Sequence, residues 1–440
     1  MNSNEKAVIL LNTIEGLSLY GVFNSGPGRT IAKIIGDALK DPLKPFTGNL
    51  PARLFRELAA WAEASGIPPA GSLWQNFILD QIILDRNSFT KMASISMLSP
   101  GRSLSGLVYE AAGNDLLGLK DIIGLDLSLL LPGQEKSPIW GLINEPLHLP
   151  VQEPPEEGPG SEILRLKKNL LENSDWSLAR EILNRFHYQS GCGIFCRYLA
   201  FRWDGTGKKL VGIQHPDPVR LENLIGYEEE RAQVIKNTER LLAGCPTGNL
   251  LLYGDRGTGK SSTVKALIHR YGRLGLRIVE IPRQCLTDYL YILQRLKGSG
   301  LKFILFVDDL SYEENESDYK ALKSILDGSL QAKPDNVAIY ATSNRRHLVR
   351  EYFEDRQGDV HGGDTLQEKL SLSERFAVTV LFLSPDQDLY LKIVEGLARQ
   401  KGLAVSAGEL RVRALEWERW NNGRSGRTAR QFIDLLVSPS

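Results

Sequence analysis

Residues 254–261, GDRGTGKS, match the pattern G-x-x-x-x-G-K-S/T at every fixed position. The apolar run NLLLYG leads into this octapeptide, and SSTVKALIHRYG, whose apolar residues recur at helical spacing, continues from it. Glycines let the backbone curl until successive N–H groups face one anion, and a helix that begins there adds the positive end of its dipole. A strand, a glycine-rich loop and a helix in this order predict a phosphate-binding loop in an α/β domain. A purely structural glycine turn is the alternative.

Phosphate binding by such a loop needs a cation, and hydrolysis needs acids. Lys260 can contact the β and γ phosphates of a nucleotide, and the Ser261 hydroxyl can bind magnesium. Farther along, the apolar run 303–307 ends in Asp308 and Asp309, and carboxylates that end a buried strand face the ligand crevice. We expect Asp308 to hold the magnesium, usually through water, and Asp309 to orient or deprotonate the attacking water. Two acids that merely begin a loop are the alternative.

Three further polar residues follow later elements. Asn344 ends the next apolar strand and is placed to bond the water or the γ-phosphate, unless it only caps a turn. Arg375 precedes the last strand and could serve a nucleotide held by an adjacent subunit, the alternative being a surface ion pair with Glu374. Arg430 lies at i+3 from Arg427, hence on the same face of a C-terminal helix. It could reach the γ-phosphate from there, or be a solvated helix charge.

Short apolar runs alternate with helical stretches from residue 224 onward, which predicts a parallel sheet covered on both faces. Two preceding runs rich in aromatic and β-branched residues, 194–203 and 209–213, with Asp204-Gly205 at their junction, predict a β-hairpin. The five strand candidates of the sheet are 249–254, 276–281, 302–309, 336–344 and 377–383. The predicted domains are a mostly helical N-terminal docking region at 1–131, a Pro/Glu/Gly-rich linker at 132–161, a helix and β-hairpin at 162–219, an α/β nucleotide-binding domain at 220–384 and a helical lid at 385–440.

The chain carries 53 Lys and Arg against 53 Asp and Glu, so no net charge attracts nucleic acid or an anionic membrane. Its four cysteines lack the spacing of a metal site and read as ordinary reduced side chains. The N-terminal apolar run is broken by Asn12 and Glu15, and no other stretch has the 18 or more apolar residues that a membrane span requires. We therefore expect no membrane association and a cytoplasmic location.

The motifs in this order resemble the AAA+ superfamily: Walker A at 254–261, Walker B at 303–309, sensor 1 at Asn344, an arginine finger at Arg375 and sensor 2 at Arg430. Residues 224–228, LIGYE, look like the adenine-side segment of that family. Blocks such as KLSLSERF and SGRTARQFIDLL look more narrowly like a bacterial AAA+ group catalogued as a domain of unknown function. The resemblance covers about 160–438. One departure is Asp309, where most members carry Glu, so the rate of hydrolysis is less certain than ATP binding.

The resemblance implies an AAA+ five-stranded parallel sheet with flanking helices and a small helical lid, which binds ATP and Mg²⁺. The catalytic candidates are Asp309, Asn344, Arg375 and Arg430, and the metal candidates are Ser261 and Asp308. The residues predicted to bind the nucleotide are Gly226, Tyr227, Gly254, Asp255, Arg256, Gly257, Thr258, Gly259, Lys260, Ser261 and Ser262.

The leading functional prediction is an oligomeric Mg²⁺-dependent ATPase that remodels or loads an unknown macromolecule. The resemblance implies a homo-oligomer and allows a hexameric ring. The alternatives are a slowly hydrolysing ATP-dependent switch or assembly module, and a DNA-associated loader, because the sequence neither indicates nor excludes a nucleic-acid partner. The segment 282–301 has no aromatic-hydrophobic-Gly tripeptide, which disfavours polypeptide threading.

Overall fold

The structure is a computed structural model that describes residues 3–40, 49–130, 137–147, 158–173, 175–310, 333–344, 375–421 and 423–437. The chain divides into two compact units. The first comprises residues 1–198 and 299–301, and the second comprises residues 199–298 and 302–440. The division falls inside the predicted segment 162–219, so the helices of that segment belong to the first unit and its hairpin belongs to the second.

The first unit is helical in its described part, as the sequence predicts. Its helix α4 is buried on most of its surface, including the polar residues Asn76 and Asp80. Trp74, Phe77 and Ile78 of this helix are each at most 1% exposed. The helices are α1 Ser3–Gly16, α2 Gly26–Lys40, α3 Leu50–Ser65, α4 Leu73–Leu84, α5 Ser88–Ala93, α6 Leu104–Ile123, α7 Ile139–Asn144, α8 Pro159–Glu172, α9 Ala179–Ser190 and α10 Ile194–Arg197.

Part of the predicted linker is packed instead of extended. Trp140 and Ile143 on α7 are buried in the core of the first unit, and Leu147 donates a backbone hydrogen bond to Gly71. The prolines and glutamates that suggested a linker cluster at 151–157, which lie outside the described residues, whereas the apolar side chains of 137–147 have a core to enter. The apolar pattern of α7 therefore decides the structure of this segment.

The second unit is built on a seven-stranded sheet in its described residues, with the order β2-β1-β4-β5-β6-β3-β7. All five predicted strands of the core are present and parallel. The predicted hairpin extends their edge, because β1 pairs parallel with β4 and antiparallel with β2. Residues 194–197, predicted as the start of the first hairpin strand, form α10 instead. The strands are β1 Ala200–Asp204, β2 Lys209–Ile213, β3 Leu250–Gly254, β4 Leu276–Glu280, β5 Lys302–Val307, β6 Val337–Ser343 and β7 Val378–Phe382.

Helices cover the sheet and form the predicted lid, which confirms the α/β core with a small helical unit after it. Strand β6 is buried over its whole length, as expected of a strand between two helical layers. No described helix combines the length and the apolarity needed to cross a membrane. The helices are α11 Glu228–Leu242, α12 Lys260–Tyr271, α13 Tyr289–Leu296 and, in the lid, α14 Gln387–Gln400, α15 Ala407–Trp420 and α16 Gly426–Val437.

Candidate nucleotide site

A cleft of about 670 Å³ opens where the core strands end. Strands β3, β5 and β6 run parallel, so the loops that follow them meet at one edge of the sheet. The cleft is lined by the glycine-rich loop after β3, by the acids after β5 and by Asn344 after β6. Residues from the segment before α11 and from the lid close it on the other sides. Of the predicted residues, those that line the cleft are Tyr227, Arg256, Gly257, Thr258, Gly259, Lys260, Ser261, Ser262, Asp308, Asp309, Asn344 and Arg430.

The glycine-rich loop has the backbone that its sequence predicts. Gly257 has a φ of 76° and Gly259 has a φ of 93°, both in the left-handed region that favours glycine. Gly259 is the N-cap of α12, so the loop ends at the positive end of that helix. The Thr258 hydroxyl donates to the Asp255 carbonyl at 2.9 Å, which ties the loop to its own base. This arrangement directs a helix terminus and its unpaired N–H groups at the cleft.

Lys260 is the buried cation of the cleft. Lys260 is only 5% exposed, and its Nζ donates to the carbonyls of Gly254 at 3.0 Å and Asp255 at 2.6 Å. Burial lowers the pKa of Lys260 to about 8, although the nearby carboxylates of Asp255, Asp309 and Asp308 raise it. An anion that entered the cleft would compete with the two carbonyls and stabilise the charged amine.

Asp308 and Ser261 meet across the cleft. The Ser261 hydroxyl donates to Asp308 Oδ1 at 2.5 Å, and the Thr342 hydroxyl donates to the same oxygen at 2.6 Å. Thr342 also accepts a hydrogen bond from the Asp309 backbone N–H at 2.8 Å. Sequence reasoning missed Thr342, which lies two residues before Asn344 on the strand beside β5. The pairing of β5 with β6 is the signal that could have found it.

Asp309 is held by two partners and by an uncommon backbone. Its φ is 54°, in the left-handed region that non-glycine residues seldom adopt. Asn344 Nδ2 donates to Asp309 Oδ1, and Arg283 Nη2 lies 3.0 Å from Asp309 Oδ2. Sequence reasoning missed Arg283. It follows β4, the neighbour of β5 in the sheet, so its position at the carboxyl end of an adjacent strand was the available signal.

The opposite end of the cleft is mostly apolar. Leu224, Ile225 and Tyr227 from the segment before α11 line it together with Ile393 and Leu397 of the lid. This surface is suited to a flat heterocyclic base, because such pockets combine apolar walls with a few polar groups. The predicted Gly226 is beside it rather than in the wall. Its φ is 77°, and a Cβ there would lie 2.7 Å from Leu389 of the lid.

The lid brings arginines to the glycine-rich loop. Arg427 and Arg430, both in the first turns of α16, line the cleft. The loop and this helix are in close contact, since a Cβ on Gly257 would lie 3.0 Å from Ser425 Oγ. Arg427 therefore joins the predicted Arg430 beside the phosphate loop.

Three other predicted residues lie outside the lining. Gly254 and Asp255 form the base of the loop, and a Cβ on Gly254 would be 2.1 Å from the Phe382 carbonyl oxygen. Arg375 is three residues before Val378, which pairs with Leu250 at the amino end of β3. It therefore lies toward the amino ends of the strands, whereas the phosphate loop follows the carboxyl end of β3, about 13 Å along the strand at 3.3 Å per residue. Glu374, the alternative ion-pair partner of Arg375, lies outside the described residues.

A family model described as "Protein of unknown function (DUF815)" matches residues 196–440, which is more than half of the chain. The chain belongs to this family. The DUF815 match begins two residues before the first unit ends and spans the whole second unit, including the hairpin, the cleft and the lid. It confirms the predicted resemblance to a family catalogued as a domain of unknown function.

Comparison with curated protein sequences returns no significant match. Among solved structures, the RuvB Holliday junction branch migration motor of Thermotoga maritima is similar over 50% of this DUF815 chain and 72% of its own, at 16% identity and a TM-score of 0.31. A single-residue alanine variant of that RuvB is similar over 51% and 74%, at 15% identity and a TM-score of 0.32. Scores this low describe a partial similarity of backbone path and carry no information about function.

Proposed function

We propose that the second unit is a Mg²⁺-dependent ATPase. The observation that carries this proposal is the meeting of Ser261 and Asp308 at 2.5 Å, beside a buried Lys260 and a glycine-rich loop at a helix terminus. Phosphoryl-transfer sites need a metal ligand on the loop, an acid at the end of a nearby strand and a cation on the phosphates. Lys260 and Ser261 are consecutive residues at the start of α12, whereas Asp308 follows β5, and all three share one cleft.

The oxygen donors at this point fit magnesium. Mg²⁺ prefers oxygen ligands and is usually held by one or two protein groups together with substrate phosphates and water. The Ser261 hydroxyl and the Asp308 carboxylate would hold it, and Thr342 orients Asp308 through its own hydroxyl. When bound, the ion would neutralise charge on the β and γ phosphates.

The remaining residues have separable roles in this proposal. Lys260 binds the β and γ phosphates, and Asp309 accepts the proton of the attacking water or orients that water. Asn344 holds the Asp309 carboxylate and lies within reach of the same water. Arg430 reaches toward the γ-phosphate from the lid. The apolar wall at Ile225 and Tyr227 receives the adenine ring.

The first experiment titrates purified protein with a fluorescent ATP analogue. Lys260→Ala should lose most nucleotide affinity, because the phosphates lose their buried cation. Lys265→Ala, one turn farther along α12 and outside the cleft lining, is the matched control and should bind as the parent does. Equal affinity of Lys260→Ala and the control would overturn the assignment of the site.

Arg375 supports an oligomeric form of the enzyme. Arg375 lies toward the amino ends of the strands and its own phosphate loop follows the carboxyl end of β3, so in this proposal the guanidinium serves the γ-phosphate of an adjacent copy. Specific activity should then rise with protein concentration. Mixing Arg375→Ala with Lys260→Ala should restore part of the activity that each lacks alone, since one copy supplies the intact loop and its neighbour the intact arginine. Demonstrated co-assembly without recovery would exclude action in trans.

A second candidate is a slowly hydrolysing ATP-dependent switch. The ion pair between Arg283 and Asp309 favours it, because a carboxylate oxygen that is engaged by a guanidinium is occupied when the attacking water must be bound. Asp309 is also one methylene shorter than the Glu of most AAA+ members. Single-turnover and steady-state ATPase assays separate the two candidates: a motor turns over repeatedly, whereas a switch completes one slow turnover and then awaits a partner. The client macromolecule, including DNA, is to be sought with the Asp309→Asn variant held in its ATP state.

A further inference from the structure

Residues 382–384 join the last strand of the sheet to the lid. Strand β7 ends at Phe382, and lid helix α14 begins at Gln387 after its N-cap Asp386. We call residues 382–384 the hinge segment. It is the covalent connection through which the lid follows the sheet.

The glycine-rich loop is bonded to both ends of this hinge segment. The Asp255 backbone N–H donates to the Phe382 carbonyl at 2.9 Å, and the Ser384 backbone N–H donates to Asp255 Oδ2 at 2.6 Å. The second bond ends on a carboxylate, and hydrogen bonds to charged groups are about twice as strong as neutral ones. Asp255 itself is outside the cleft lining, so its side chain has no direct contact with a nucleotide there.

The end of the cleft that would receive the adenine ring is bonded to the middle of the hinge segment. The Tyr227 hydroxyl donates to the Leu383 carbonyl at 2.7 Å, and its ring lies 5.4 Å from the Phe382 ring. Tyr227 has a φ of 58°, an uncommon left-handed backbone for an aromatic residue, at the N-cap of α11. Three consecutive residues of the hinge segment are therefore bonded, two by Asp255 at the base of the glycine-rich loop and one by Tyr227 in the cleft lining.

We infer that Asp255 and Tyr227 are positioning residues, which hold the hinge segment so that the lid presents Arg430 to the γ-phosphate. The inference rests on the proposed ATPase function and deepens it. Lid helix α14 leaves the hinge segment and packs against α16, which carries Arg427 and Arg430. A loosened hinge segment would move these guanidinium groups away from the phosphate while leaving the loop and Lys260 intact.

The test measures the turnover number and the affinities for ATP and ADP in four variants. Tyr227→Phe removes one hydroxyl and keeps the ring, and Tyr271→Phe, which loses a comparable bond to Glu239 outside the cleft, is its control. Asp255→Ala removes the acceptor for Ser384, whereas Asp255→Asn keeps an oxygen there without the charge. The Ala and Asn forms both remove the negative charge near Lys260, so a difference between them does not come from that charge.

We expect Tyr227→Phe and Asp255→Ala to lower turnover about tenfold, the scale of one hydrogen bond. Affinity for ADP, which has no γ-phosphate, should stay within about twofold, and Asp255→Asn should keep most of the turnover. In an Arg430→Ala background the same changes should lower turnover further by less than about twofold. The guanidinium that Asp255 and Tyr227 position is already absent there.

Three results would overturn the inference in a parent that hydrolyses ATP. They are full turnover in both positioning variants, equal losses of ADP and ATP affinity, and an undiminished loss in the Arg430→Ala background. Equal turnover of Asp255→Ala and Asp255→Asn would assign the Asp255 effect to its charge and remove that residue from the inference. A parent that neither binds nor hydrolyses ATP instead overturns the proposed function itself.

Discussion

Nucleotide affinity should fall as pH rises through the pKa of Lys260. Lys260 is only 5% exposed, and this burial lowers the pKa of its amine to about 8. Phosphates bind the protonated amine. Where the free protein has lost that proton, the amine must take one up from solvent when the nucleotide binds. Since the bound phosphates raise the pKa again, affinity is highest below pH 8 and declines above it.

The size of the effect follows from the position of that pKa. With a pKa of about 8, roughly 90% of the free protein carries charged Lys260 at pH 7 and roughly 10% does so at pH 9. The affinity for Mg²⁺-ATP should therefore drop about tenfold between these pH values, equivalent to about 1.4 kcal/mol. An amine with the ordinary pKa near 10.4 would give almost no change over this range.

The assay is titration with a fluorescent ATP analogue at constant ionic strength from pH 6.5 to 9.5. Lys260→Arg is the matched control, because a guanidinium stays charged over the whole range, so the pH dependence should vanish even if the larger side chain lowers affinity overall. A parent whose affinity is constant to pH 9 would refute the reasoning. So would a Lys260→Arg variant that declines as steeply as the parent.

Three other changes test separate parts of the molecule. Asp309→Asn should retain ATP binding and lose turnover by about two orders of magnitude or more, as measured by phosphate release, and unchanged turnover would assign the base to another acid. Arg283→Gln should raise turnover by up to about fivefold at saturating ATP, because an ion pair whose side chains are 33% and 50% exposed contributes only about 0.2–1 kcal/mol, and a fall would place Arg283 in the reaction itself. His187 is fully buried, and burial lowers its pKa to about 4 from an unfolded value near 6.5, so the unfolded state binds the extra proton below pH 6.5. The free energy of unfolding in urea should consequently fall by about 1.5 kcal/mol more in the parent than in His187→Phe between pH 6.5 and 5, and equal pH dependence in the two would contradict the burial of this imidazole.

The core strands were predictable because each is a short, continuous apolar run. Strands β3 to β7 all lie within the predicted ranges, and burial between two helical layers leaves no room for polar alternation. The same reasoning was wrong for residues 194–197, where an apolar and aromatic run of four residues forms α10. Short apolar runs do not distinguish a strand from a buried helical turn, and here the contacts of Phe195 and Cys196 within the first unit decide it.

The linker prediction differed from the structure at 137–147 for a related reason. The composition of a segment indicates how much entropy is lost when it becomes ordered. It does not show whether other helices of the fold provide an apolar site in which its side chains can be buried. Trp140 and Ile143 find such a site in the helical core of the first unit. Only the packing of distant helices provides that information.

The phosphate loop was determined by the sequence itself, because its anion site is made from consecutive backbone N–H groups and the helix that follows them. Glycines at fixed spacing are sufficient to specify such a local structure. The tertiary structure alone brings Arg283 to Asp309, the Tyr227 hydroxyl to the Leu383 carbonyl 156 residues away, and the Ser384 backbone N–H to Asp255 129 residues away. These contacts depend on which strands are neighbours in the sheet and on where the lid returns to it. Both are set by the packing of the whole unit, since no local pattern encodes the distance between residues so far apart in the chain.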